Sequence, residues 1–391
     1  MKSAFLYEEE TKKALAEFII EAKQLSMGPK CAEFESKFAE KQGRLEAILF
    51  NSGGSANLAL LQSLKNLGRL KEGDNIGFSS LTWATNVMPI IQMGFNPVAI
   101  DCNLTLLNVT SEILRNKISG VKLHGLFITN ALGFAGELDY IKKVCEEHDI
   151  VFIEDNCEAL GTELYSGKTG NFGLASTFSF FVAHHMSTIE GGMVCTDDDE
   201  LAEMLRMVRA NGWDRNLTHE QQLKWREKHN ISSEFEAKYT FYDLGFNFRP
   251  TEITGFLGLY QMQFIDETIK KRQENYLLFE DAVKKNRELN FIYHDHIKVL
   301  STFAFPVIGT NPVIRKKYMD RFSNAGIEIR PLIAGDIRNQ PFYSKYVKEE
   351  GARPSGQSGT NFLASNGFYC GNYPELTGED METIIGCLAA S

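Results

Sequence analysis

At 391 residues the chain is longer than one hydrophobic core usually supports, so two domains are expected. Its 43% apolar and 24% charged composition is that of a soluble globular protein, and the net charge of −10 argues against nucleic acid or an anionic membrane as the main partner. The acidic start, the lack of an apolar run of roughly 20 residues and seven scattered cysteines without CxxC spacing point to a cytoplasmic protein with reduced thiols.

Apolar runs of buried-strand length recur at Glu46–Phe50, Asn75–Phe78, Pro97–Ile100, Leu123–Thr129, Ile150–Ile153, Ser176–Phe181 and Met193–Thr196. Segments of helical period lie between most of them, among them Ser55–Leu67, Leu138–Glu147 and Asp198–Val208. This alternation predicts parallel βαβ units covered on both faces, and residues 1–250 read as one large α/β domain. Thr251–Lys285 reads as one long linking helix. Strands at Asn290–Tyr293, Ser301–Val307 and Ile327–Arg330 then indicate a smaller α+β domain within 251–391, with Gly351–Gly359 as a surface loop.

Asn51-Ser52-Gly53-Gly54-Ser55 follows a strand and opens a helix, where free N–H groups and the helix dipole suit a phosphate. A tight turn with a serine cap explains the same residues without a ligand. Asp155 and its neighbour Glu154 end a predicted strand, the edge at which α/β sheets bind ligands; Asp155 could equally cap a helix. Trp83 follows a strand and could stack on an aromatic ring or simply pack. Adjacent residues on a strand or loop tend to point apart, so His184 and His185 read poorly as a metal pair, and His294 and His296 read as residues of an exposed strand or turn. Gly245-Phe-Asn247-Phe-Arg249-Pro250 could be no more than a helix lead-in.

In their order and spacing these pieces gain meaning. Phe178-Ser179-Phe-Phe-Val-Ala-His184-His185-Met-Ser-Thr-Ile-Glu190-Gly191-Gly192 follows Phe152-Ile-Glu-Asp155-Asn-Cys-Glu158. With the Asn51–Ser55 turn, Trp83 and Asn247-Phe-Arg249-Pro250, the set resembles the sugar-aminotransferase family of fold-type-I pyridoxal-phosphate enzymes, the DegT/DnrJ/EryC/StrS type, from about Met27 to Pro331. The resemblance implies an aspartate aminotransferase-like α/β fold with a mostly parallel central sheet and a smaller α+β C-terminal domain. It implies pyridoxal 5'-phosphate, or its amine form pyridoxamine 5'-phosphate, as cofactor. Gly53, Gly54, Ser55 and Ser179 would hold its phosphate, Trp83 would stack on its ring, Asp155 would pair with the ring nitrogen, and Glu158 would lie near the ring hydroxyl. Asn247 would reach the cofactor phosphate of a neighbouring subunit, which implies a homodimer with shared active sites.

Where the family's transaminases carry a lysine, this chain has His184. Histidine does not bond covalently to the cofactor's aldehyde as lysine does, but it moves protons near neutral pH. This segment and Arg209-Ala-Asn-Gly-Trp-Asp-Arg215 are most similar to the family's 3-dehydratase branch of colitose and O-antigen synthesis. That branch implies a lyase that removes the C3 hydroxyl of a nucleotide-linked 4-keto-6-deoxyhexose, GDP-linked by preference, with L-glutamate restoring the amine cofactor. His184 would be catalytic, and Arg215, Arg249 and Arg330 would hold the nucleotide diphosphate or the glutamate carboxylate. Asn211 stands where the branch has histidine, and Val182-Ala183 departs from its usual pair. A sister branch acting on CDP-sugars adds an iron–sulfur cluster on four cysteines, whereas no cysteine lies between Cys195 and Cys370 here. The alternatives are such a CDP-sugar dehydrase, an aminotransferase using Lys168, and a non-catalytic cofactor-binding protein.

Overall fold

A computed structural model describes residues 4–348 and 358–390. The first five strands are β1 (Glu46–Phe50), β2 (Asn75–Ser79), β3 (Asn96–Ile100), β4 (Gly125–Thr129) and β5 (Val151–Asp155). Two short strands, β6 (Glu163–Leu164) and β7 (Gly167–Lys168), form a hairpin before β8 (Ala175–Ser179) and β9 (Gly192–Thr196). Seven of these build one sheet in the order β1-β9-β8-β5-β4-β2-β3. The run from β8 to β3 is parallel, and β9 lies antiparallel to both β8 and β1. β4 is buried along its whole length, as expected of an apolar strand covered by helices on both faces.

The predicted strands fall where the sheet has them, with their ends moved by one or two residues. Two expectations need correction. β8 stops at Ser179 rather than running to Phe181, because the chain then folds into a turn in which His184 N–H donates to Phe181 O at 2.8 Å. The single helix over Thr251–Lys285 is two helices, Glu252–Met262 and Ile265–Lys284, broken at Gln263–Phe264. Phe264 turns there to pack on Tyr7 and Tyr260. The first helix lies on Pro29–Gln42, whose N-terminus Glu252 caps by accepting from the N–H groups of Gly28, Lys30 and Cys31. The second sends Tyr276, Phe279 and Val283 into the C-terminal core.

That core sits under a four-stranded antiparallel sheet, β10-β12-β14-β13, formed by β10 (Leu289–Asn290), β12 (Ala304–Gly309), β13 (Ile329–Pro331) and β14 (Gly367–Gly371). β11 (Ile297–Val299) leaves this region to pair with β6. Most of the predicted Gly351–Gly359 loop lies outside the described residues, and Gly359 itself opens the helix Gly359–Asn366.

Candidate active site

The carboxyl ends of β1, β5 and β8 bring the predicted residues together. At the end of β1, Ser52 caps the helix Gly53–Asn66, its Oγ accepting from Ser55 N–H at 3.1 Å and lying 2.9 Å from Ser55 Oγ. The first N–H groups of a helix have no partner within it, which leaves Gly53 and Gly54 as donors at its positive end. Glycine is required here for space: a Cβ on Gly53 would come within 2.7 Å of Ser179 Cβ, and one on Gly192 within 2.3 Å of Ser52 O. Gly53, Ser179 and Gly192 therefore form a close-fitting cradle of backbone and small side chains.

Glu154 and Asp155 point to opposite faces of β5, so the apparent acidic pair is two separate carboxylates. Glu154 is structural, accepting from the N–H groups of Gly170, Phe172 and Gly173. Asp155 caps no helix. It accepts from Asn57 Nδ2 at 3.0 Å, Asn86 Nδ2 at 2.9 Å and its own Cys157 N–H at 2.9 Å. Asn57 belongs to the cradle helix and Asn86 to the helix Ala84–Gln92, which begins beside Trp83. Trp83 is 55% exposed. The two asparagines were not singled out from the sequence; polar residues on otherwise apolar helix faces were their only signal.

Glu158 accepts from Leu132 N–H at 2.7 Å, and burial raises its pKa to about 7 against that hydrogen bond, with Asp155 adding to the rise. His184 lies in the turn after β8, its ring between Phe303 at 5.3 Å and Phe181 at 6.3 Å. Burial brings its pKa down to about 4; the Arg272 guanidinium pushes the same way, and the Cys157 backbone opposes both. A neutral imidazole at working pH follows, the form a general base needs. Ile189, in the same turn, has φ of +70°, a conformation β-branched residues rarely adopt. His184 and His185 do not point apart as an extended segment would have them: both line one small cavity with Arg272. Among the described residues no cluster of three metal-ligating side chains occurs.

The remaining candidates lie farther out. Asn247 is exposed on a short ladder opposite Ala210, its Oδ1 accepting from Arg249 Nε at 3.0 Å, and the next carbonyl, Phe248 O, accepts from Asn51 N–H beside the cradle. Arg215 is exposed over the Trp213 ring, and Arg330 pairs with Glu328 on the edge strand β13. Asn211 sits at φ +61°, a backbone conformation that asparagine tolerates better than most residues. Lys168 takes no part in the site: it lies on β7 rather than in a plain turn, its Nζ donating to Lys41 O at 2.6 Å beside a cavity of ≈ 200 Å³ lined by Phe38, Leu160 and Ile269. His294 and His296 are each satisfied, by Glu280 and by the Ala135 carbonyl.

Comparison with known proteins agrees with this arrangement. The model of the DegT/DnrJ/EryC1/StrS aminotransferase family matches residues 6–389. The GDP-4-keto-6-deoxy-D-mannose 3-dehydratase of Escherichia coli O55:H7 is 30% identical over 357 residues, covering 91% of this chain and 90% of its own. A crystal structure of a GDP-4-keto-6-deoxymannose 3-dehydratase with a trapped PLP–glutamate geminal diamine superposes with a TM-score of 0.90 at 29% identity, covering 99% of each chain. A histidine-to-asparagine mutant of an enzyme of that name, with bound GDP-perosamine, gives 0.88 at 28% identity, again over 99% of each chain.

Proposed function

This chain belongs to the DegT/DnrJ/EryC1/StrS aminotransferase family, and from that premise we propose that it is a 3-dehydratase of a nucleotide-linked 4-keto-6-deoxyhexose. At the coarser level it is a pyridoxal-phosphate-dependent enzyme that modifies sugars. The observation that carries the finer reading is His184: the residue standing where the family's transaminases have lysine is an imidazole held neutral beside Cys157 and below Phe303.

The residues fit the cofactor. Gly53, Gly54, Ser55 and Ser179 offer a cradle of donors too tight for a Cβ, suited to its phosphate, with Asn247 of a second subunit as a further donor. Asp155, fixed by three donors, would face the ring nitrogen, Trp83 one ring face and Glu158 the ring hydroxyl. When bound, the cofactor supplies an electron sink that lets a substituent leave the carbon next to the sugar's ketone. The protein's own part is proton transfer and binding. His184 takes a proton as a base and returns it, as an acid, to the departing C3 hydroxyl. Arg215, Arg249 and Arg330 are cations suited to the sugar's diphosphate and to the carboxylate of L-glutamate, the amino donor that restores the amine cofactor. The chemistry fits 3,6-dideoxysugar synthesis, and a GDP-linked hexose is the preferred substrate because relatives with that specificity align over nearly the full length.

The test is incubation with cofactor, L-glutamate and either GDP-4-keto-6-deoxymannose or its CDP-glucose counterpart, with products read by mass spectrometry. Loss of water from the GDP-sugar and release of a 3-deoxy-4-keto product is expected. Conversion to a 4-amino sugar with the C3 hydroxyl intact would make the protein an aminotransferase instead.

A further inference from the structure

Behind the histidine turn lies a cavity of ≈ 30 Å³, lined by His184, His185 and Arg272 together with Ser187, Gln261 and Glu375. Each of the first three carries a buried nitrogen with no hydrogen-bond partner among the described residues: His184 Nδ1, His185 Nδ1 and Arg272 Nε. Three such atoms around one enclosed space are unusual, because buried polar groups are nearly always paired. A water site needs about 10–15 Å³ and two to four polar partners, and this cavity offers both.

The other atoms of these side chains fix what the nitrogens can do. His185 Nε2 lies 3.0 Å from the Ser301 carbonyl, which only accepts, so Nε2 bears the proton and a neutral His185 has a bare Nδ1. Arg272 Nε only donates. The Arg272 guanidinium is held from three directions, by the carbonyls of Thr302 (3.3 Å), Phe303 (3.0 Å) and Asn372 and, through a longer 3.4 Å contact, of His184. None of its hydrogen bonds among the described residues goes to a carboxylate. One water would accept from Arg272 Nε–H and donate to His185 Nδ1, keeping one lone pair and one proton. With those it matches His184 Nδ1 whether that nitrogen is bare or protonated.

We propose that a single buried water bridges Arg272, His185 and the Nδ1 edge of His184, leaving Nε2 as the nitrogen through which His184 moves protons. Arg272 and His185 are then positioning residues. The inference rests on the reading of His184 as the proton carrier and adds the means by which its two protonation states are accommodated. Arg272 also keeps a second cation from forming beside it. The groups facing His184 are Arg272 from the helix Ile265–Lys284, His185 from its own turn, and Cys157 through its backbone; Tyr373 and Glu375 face Arg272 across the cavity.

The direct test is a high-resolution crystal structure of the cofactor-loaded protein. A water within about 3 Å of all three nitrogens is expected; a dry cavity would overturn the proposal. Histidine-selective NMR, with the His184 signal assigned from His184→Asn, tests the charge. In Arg272→Met the His184 titration should move up toward 6.5, and in Arg272→Lys, which keeps the cation, it should stay low; an unmoved midpoint in Arg272→Met would contradict the role. In turnover, Arg272→Met should lose about 10–100-fold in kcat, the usual effect of an outer-shell partner, with KM for the sugar unchanged and the acid limb of the pH profile displaced upward. If Arg272→Met does not fold, Arg272→Lys decides: a tenfold or greater loss of kcat with an unmoved acid limb is expected, and wild-type kcat would sink the proposal. The crystal and NMR readouts involve no turnover, so failure of the 3-dehydratase reading would leave the water in place.

Discussion

The Ser52–Ser55 turn and the Phe181–Gly192 turn meet at Gly192, yet they are built in opposite ways. The first is closed by short-range means: a serine cap, a helix dipole, and glycines whose missing Cβ atoms let β1, β8 and β9 converge. Its carboxylate, Asp155, has all its donors from the same sheet and helices. The second is an irregular turn with a left-handed isoleucine, held from behind by Arg272 and Ser301, more than eighty residues away in the chain, and it keeps unpaired nitrogens. A binding cradle gains from being rigid and fully satisfied, whereas a proton carrier must tolerate two states, which a fully satisfied imidazole cannot do.

Substitutions can break this contrast. His184→Asn should cost about 10²–10⁴-fold in turnover while cofactor absorbance is retained, since the cradle does not depend on the turn. Loss of the cofactor in that variant would merge the two regions into one. Asp155→Ala should act in the reverse sense, weakening cofactor retention and lowering the melting temperature. It strands the Asn57 and Asn86 donors, at about 1–3 kcal/mol for each buried unpaired group. Gly53→Ala should cost about 1–3 kcal/mol by crowding Ser179, and the rise in melting temperature on adding pyridoxal phosphate should shrink; an unchanged rise would show that the cradle is not where the phosphate sits.

A smaller effect tests Glu158. Its folded pKa of about 7 lies above the ordinary 4.5, so folding favours its protonated form. Its contribution to stability is complete below pH 4.5 and is lost as pH rises through about 7. Melting curves of wild type and Glu158→Gln should therefore diverge with rising pH over that window, the wild type losing ground. Parallel curves would mean that Glu158 ionises as an ordinary carboxylate.

The same contrast decides what the sequence revealed. The cradle was legible because its chemistry is local: Ser-Gly-Gly-Ser after an apolar run is a strand, a cap and a helix start, and Asp155 closes another such run. His184 was legible only through the family resemblance, since nothing in Val-Ala-His-His-Met by itself marks a proton carrier. Its extended setting was misread because the turn is imposed by contacts with residues 301–303 and 272, which no local pattern encodes. Arg272 sits on a helix otherwise rich in exposed charge, and its burial appears only when the helix docks. The break at Gln263–Phe264 escaped notice for a similar reason, with neither glycine nor proline to mark it.

The central claim is that no lysine of this chain holds the cofactor and that His184 stands in its place. Borohydride reduction of the cofactor-loaded protein, followed by peptide mass spectrometry, tests it most directly. The wild type should yield no pyridoxyl-modified peptide and should release its cofactor on dialysis, while His184→Lys should become labelled at position 184. A pyridoxyl group on a lysine of the wild-type chain, Lys168 included, would contradict the assignment and return the protein to the transaminases.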